Sequence, residues 1–129
     1  MSTNSPIASN ECGPILDKIN FLLKVQRLAD GVDQVEPLLE DLVDQIRERE
    51  SCRPEISERL LVLLREIDTW SLEILQYCMH DLRWQEVLDL AENLIKQEKN
   101  VWRHRLYERL IESFDDRWPE REFFRRYSD

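Results

Sequence analysis

An all-α fold is what this sequence predicts, on three observations. Apolar residues recur at three- and four-residue spacing along most of the 129 positions. No window alternates with period two for long enough to form a strand. With only 2 Gly and 5 Pro, the chain also lacks the turn residues that β-hairpins require. About seven helices fit the pattern. Their connections run to about two to six residues, so neighbours should pair as antiparallel hairpins in a bundle or short array.

The elements follow in order. Residues 1–13 (MSTNSPIASNECG) are small and polar with no period, which predicts a flexible tail ahead of a single domain over 14–129. Pro14 suits a first helical turn, and Ile15, Leu16, Ile19, Leu22 and Leu23 continue that helix until Ala29-Asp30-Gly31 interrupts it. Val35, Leu38, Leu39, Leu42, Val43 and Ile46 make the stripe of a second helix. Asp33 and Glu36 have capping-box spacing there, with Pro37 in the first turn. Ser51-Cys52-Arg53-Pro54 marks a break and a restart. Ile56, Leu60, Leu61, Leu63, Leu64 and Ile67 then give a third helix a wide apolar face. Asp68-Thr69 caps a fourth over 70–82, Trp84 to Ile95 form a fifth, and Asn100 caps a sixth carrying Val101, Trp102, Leu106, Leu110, Ile111 and Phe114. Trp118-Pro119 opens a seventh containing Phe123, Phe124 and Tyr127.

Charge narrows the partners. Net charge is −9, and all of the acidic excess lies before residue 100. Such a chain does not draw polyanions by its overall field, so nucleic acid and anionic membrane are not expected partners. There is no basic-then-apolar leader and no uncharged apolar run long enough to span a bilayer, which makes the cytoplasm the expected location. Cys12, Cys52 and Cys78 are too few and too scattered for a disulfide framework, and free thiols in a reducing compartment are the expectation.

One pattern occurs twice. Asp81-Leu82-Arg83-Trp84-Gln85-Glu86 is echoed by Asp115-Asp116-Arg117-Trp118-Pro119-Glu120, as D-x-R-W-x-E at an offset of 34, each time at a helix junction. There an Asp can cap, an Arg can pair or stack, and a Trp can anchor one helix on the last. On these residues the stretch 54–127 resembles HEAT-like helical hairpin repeats, with no specific family signature. Repeats of that kind serve as protein-binding surfaces, including in immunity proteins that neutralise a toxin, and the resemblance implies such a role.

Chemistry finds little footing. Cys78 and His80, two apart on a helix, point about 200° away from each other and cannot share a metal. The Glu-x-x-His pair of a di-iron bundle is missing, because Tyr77 and Val101 stand three residues before His80 and His104. Glu36, Glu40 and Asp44 share an edge that reads as solvated. No G-x-S-x-G elbow occurs, and Gly13 and Gly31 cannot build a phosphate loop. No catalytic, metal or cofactor residue is therefore assigned, and none of these cofactors is expected.

Ten of the eleven aromatic residues lie from Trp70 onward, and every basic residue from Trp102 onward is Arg. Aromatics and Arg are the side chains enriched at binding hot spots. The candidate partner-binding residues are therefore Trp84, Trp102, Arg103, Tyr107, Arg117, Trp118, Phe123, Phe124 and Tyr127. Seven acidic groups cancel the seven arginines over the same stretch, which argues against a nucleic-acid surface. The expected function is a non-enzymatic protein-interaction module, of immunity or regulatory type. A homodimeric scaffold or complex subunit, using the aromatic last helix as an isologous interface, is the alternative. The third reading is an enzyme with a dispersed site at His104, Tyr107 and Glu108.

Overall fold

A computed structural model describes residues 4–28 and 32–128. The first three residues of the expected tail, the Ala29-Asp30-Gly31 interruption and Asp129 lie outside the described residues. Six α-helices form, with no strand among the described residues: α1 (Asn4–Leu28), α2 (Val32–Glu48), α3 (Arg53–Arg65), α4 (Thr69–Leu82), α5 (Gln85–Gln97) and α6 (Val101–Glu112). A 3₁₀ turn over Pro119–Phe123 takes the place of the seventh helix.

The starts of α3, α4 and α6 follow local chemistry. Pro54 occupies the first turn of α3. Asp68 caps α4 through a reciprocal box: its carboxylate accepts from Ser71 N–H at 2.8 Å, and the Ser71 hydroxyl accepts from Asp68 N–H at 2.9 Å. Asn100 caps α6 by accepting from Arg103 N–H at 3.0 Å. Helix α4 ends with Arg83 at a φ of 53°, a left-handed position that usually belongs to Gly. The Arg83 side chain is pinned on both sides, donating to the His80 carbonyl at 3.1 Å and to Asp116 at 2.6 Å.

Two expectations fail at the N-terminal end. Helix α1 begins at Asn4, ten residues before Pro14, so the proline sits inside the helix and one rung of its ladder lacks a donor. Cys12 and Cys52 are joined in a disulfide, with Cα atoms 5.5 Å apart, and both are buried. That covalent anchor and the buried Ile15 tie the early turns of α1 to the core, a tertiary effect that propensity does not register. Free thiols are thus corrected to one, Cys78, and the argument for a cytoplasmic location loses its support from cysteine usage.

Packing is regular. Besides the hairpin partners α1/α2, α3/α4 and α5/α6, α1 lies against α3 and α3 against α5, while α2 lies against α4 and α4 against α6. Odd and even helices therefore form two layers. Hydrogen bonds give the register: Gln76 Nε2 donates to the Arg109 carbonyl and His80 Nδ1 to the Ser113 carbonyl, each pair 33 residues apart. A constant offset along two helices means that they run parallel. Arg53 and Glu86, also 33 apart, link the starts of α3 and α5. Helix α4 takes the most central place, with Leu72, Ile74, Leu75, Tyr77, Cys78 and Met79 all buried. No described helix is long and apolar enough to cross a membrane.

Candidate interaction surface

After α6 the chain doubles back over the even-helix layer, and the residues that hold it there come from α2 and α4. Glu36, 5% exposed, is the hinge of the contact. Its Oε1 accepts from Arg125 N–H at 2.8 Å, and its Oε2 accepts from Arg126 N–H at 2.9 Å and from the Tyr77 hydroxyl at 3.1 Å. Residues 124–128 form a single turn, since Tyr127 and Ser128 N–H both donate to the Phe124 carbonyl. The first amides of such a turn have no partner within it, and a carboxylate from α2 supplies one.

Side chains complete the dock. Phe124 stands edge-on to Tyr77 at 5.1 Å between ring centroids and stacks on Trp118 at 5.9 Å. The Tyr127 hydroxyl donates to the Tyr77 carbonyl at 2.5 Å, and its ring meets His80 edge-on at 4.7 Å. The Arg126 guanidinium bonds Asp81 at 2.9 Å and pairs with Asp44 at 3.2 Å and Glu40 at 3.5 Å. Arg47 approaches Asp81 from the other side. The edge of Glu36, Glu40 and Asp44 is accordingly not a free solvated face; it seats the end of the chain. The Glu36 carboxylate is committed to residues 125 and 126, while the Asp33 side chain of the expected capping box lies outside the described residues.

Electrostatics follow the geometry. Burial alone would raise the Asp81 carboxyl, but hydrogen bonds and charge from Arg47 and Arg126 outweigh it and hold the group below its ordinary 3.8. A carboxyl depressed by folding stabilises the native state above its unfolded value and loses that contribution as pH falls through the folded one. Asp81→Asn should therefore cost about 2 kcal/mol at pH 7. The gap between wild type and variant should shrink below pH 4, as read from urea unfolding at pH 7, 5 and 3; an unchanged gap at pH 3 would contradict the assignment. Burial first, and then Glu36, push the Tyr77 hydroxyl upward. The Cys78 thiol, fully buried and facing Asp81, is pushed up to about 12, far from a reactive thiolate.

The two copies of D-x-R-W-x-E share a local structure. Trp84 and Trp118 are both buried, and each caps the short or long helix that follows, with Val87 N–H donating to the Trp84 carbonyl and Arg121 N–H to the Trp118 carbonyl. The Glu of each copy is held by an upstream Arg: Glu86 by Arg53 at 3.0 Å and Glu120 by Arg109 at 2.7 Å. The aspartates differ, since Asp81 joins the ion network while Asp115 accepts from Arg117 N–H at 2.7 Å. A shallow groove accompanies each copy. One, of about 310 Å³, is walled by Ile46, Leu82 and Trp84 beside Arg47 and Arg53. The other, of about 610 Å³, is lined by Arg105, Ile111, Arg117, Trp118 and Pro119 among others.

The nine candidate partner-binding residues thus divide. Trp84, Tyr107, Trp118 and Phe124 are buried in the core, and Tyr127 is half-buried against His80 and Tyr77. Arg103 is occupied with Glu98 and the Arg65 carbonyl. Trp102 and Phe123 remain open, at 60% and 70% exposure, and Arg117 is exposed beside the second groove. The three residues of the dispersed enzymatic reading do not converge: the Tyr107 hydroxyl donates inward to the Leu64 carbonyl, while His104 and Glu108 lie half-exposed and 4.0 Å apart.

At the end of the molecule that holds Trp102, three further apolar residues come to the surface that the sequence did not single out. The Arg27 guanidinium lies 5.6 Å from the Trp70 ring centroid, bringing the last turn of α1 to the first of α4. Arg103 donates to the Arg65 carbonyl, bringing the first turn of α6 to the last of α3. Leu28, Trp70, Val101 and Trp102 therefore emerge at one end of the layers, all exposed, Val101 at 84%. Leu28 and Trp70 lie outside the apolar stripes of the sequence, whereas Val101 and Trp102, expected among the apolar residues of the sixth helix, turn outward in its first turn. Comparison with family models, with curated proteins and with solved structures finds no match.

Proposed function

We propose that this chain is a non-enzymatic protein-interaction module, of the kind found in immunity or regulatory proteins. The observation that carries the reading is the exposed apolar end formed by Leu28, Trp70, Val101 and Trp102. Large apolar side chains left exposed at one end of a small protein mark a contact surface more often than ones scattered over it do. The mixed charges around them, Arg27, Glu98 and Arg103, resemble the polar rim that surrounds an interface core. The two-layer stacking of hairpins, with even helices in parallel register, supports the HEAT-like reading of residues 54–127.

A photo-reactive phenylalanine analogue at position 102 tests the proposal in the cells that make the protein. The expected result is a cross-linked adduct with a second, distinct polypeptide, lost when Val101 is changed to Ser and Trp70 to Ala. An adduct of twice the chain mass, with dimer in sedimentation, would move the reading to the homodimeric scaffold. No adduct from position 102 would remove this surface.

A further inference from the structure

The dock of residues 124–128 has the composition of a peptide complex more than of a helix-on-helix core. Two aromatic anchors, Phe124 and Tyr127, flank two basic residues on one turn. The receiving surface supplies one carboxylate for the turn's free amides, an aromatic wall at Tyr77, and the acidic groups Glu40, Asp44 and Asp81 around a single guanidinium. Aromatic anchors surrounded by a partly exposed ionic rim are the anatomy of a binding site. The turn belongs to no helix and, among the described residues, makes no backbone-to-backbone hydrogen bond with α2 or α4. Its backbone is held only by side chains, through Glu36.

We propose that the surface between α2 and α4 is a docking groove for a basic–aromatic segment of a partner protein, and that residues 124–128 are its tethered occupant. Charge complementarity selects that class of partner. With the turn withdrawn, Glu36, Glu40, Asp44 and Asp81 face a groove in which, among the described residues, Arg47 on Asp81 is the one bonded cation, and a neutral or acidic segment leaves the other three carboxylates unpaired. The bound turn defines what fits: an aromatic residue, two positions with free amides of which the second carries a guanidinium, and a second aromatic residue three places after the first. Tethering makes the groove selective, because a segment in trans competes with a local concentration on the order of millimolar. Only a partner that adds contacts beyond the turn displaces it.

This inference deepens the protein-interaction reading but rests on a different surface from the Trp102 end, so each can fail alone. The test uses the full chain and a fluorescent peptide with the sequence of residues 119–128, followed by anisotropy. Wild type should bind it weakly. Arg126→Ala/Tyr127→Ala, which loosens the tether while leaving α2 and α4 intact, should bind at least about tenfold tighter. The same peptide with its Arg pair changed to Glu should not bind. If the double variant does not fold by circular dichroism, Tyr127→Phe, which removes only the bond to the Tyr77 carbonyl, should give a smaller tightening in the same direction. A photo-reactive phenylalanine at the peptide's second Phe should label α4 at or beside Tyr77. Equal binding by wild type and a folded variant, or labelling elsewhere, would overturn the proposal. So would a dimer with exchanged turns in sedimentation, which would assign the groove to a second copy.

Discussion

Glu36→Ala will lower the unfolding free energy by about 3 kcal/mol, a large effect for one residue on the edge of an amphipathic helix. The substitution removes the acceptor of two amide N–H groups and of the Tyr77 hydroxyl, all turned inward. Each such group left unpaired costs about 1–3 kcal/mol, reduced where the turn opens to water. Glu36→Gln should cost less, because the amide oxygen still accepts on one side while the NH₂ faces a donor on the other. Urea unfolding followed by tryptophan fluorescence reads both, since Trp118 stacks on the Phe124 that Glu36 helps hold. A loss within about 0.5 kcal/mol, the range of an ordinary surface change, would mean that the carboxylate does not fasten the end of the chain.

Reduction of the Cys12–Cys52 bond should cost about 4 kcal/mol. The bond closes a loop with a sequence separation of 40, and loop-closure entropy for that length gives the figure. Its location adds to the effect, because it joins α1 to the start of α3 across the odd layer, where both sulfurs are buried. Urea unfolding with and without reductant measures the difference, and the Cys12→Ser/Cys52→Ser variant serves as control. The variant should match the reduced protein and ignore the reductant. An intact protein whose midpoint does not move on reduction would show that packing of α1 against α3 suffices without the bond.

Both effects sit where local sequence patterns carry no information. Helical periodicity located α2 to α6 to within a few residues, because the stripe of each, such as Val35-Leu39-Leu42-Ile46, depends only on which face is buried. Caps at Asp68 and Asn100 were legible for the same reason: their bonds span three residues. The disulfide was not legible, since pairing Cys12 with Cys52 requires knowing that α1 and α3 lie side by side. Glu36 was misplaced because a carboxylate on the edge of an apolar stripe reads as solvated, while the amides it accepts from stand 89 and 90 residues away. A hint did exist in the charges, with an acidic edge at positions 36, 40 and 44 and an arginine-only end from 103 to 126.

The candidate site suffered from a different ambiguity. An aromatic residue at a helix junction reads alike whether it fills a core or meets a partner, and Trp84, Trp118 and Phe124 turned out to face inward. The expected seventh helix dissolved into a 3₁₀ turn for a related reason. Trp118, Phe124 and Tyr127 must all reach the same patch around Tyr77 and His80, and a straight helix does not turn three such side chains onto one spot. Val101 and Trp102, expected among the apolar residues of the sixth helix, and Phe123, expected in the seventh, are left open instead, with no mark in sequence that sets them apart from the buried members of those sets.

The order of synthesis gives the dock one more consequence. Every hairpin packs on the one before it, so the layers can assemble as the nascent chain emerges, each new pair meeting a surface already made. The acidic ledge on α2 is the exception. It is complete once α4 has emerged, yet the turn that covers it is translated about ninety residues after Glu36. During that interval the ledge and Tyr77 are open on a ribosome-bound chain, and any basic–aromatic segment nearby meets them without an intramolecular rival.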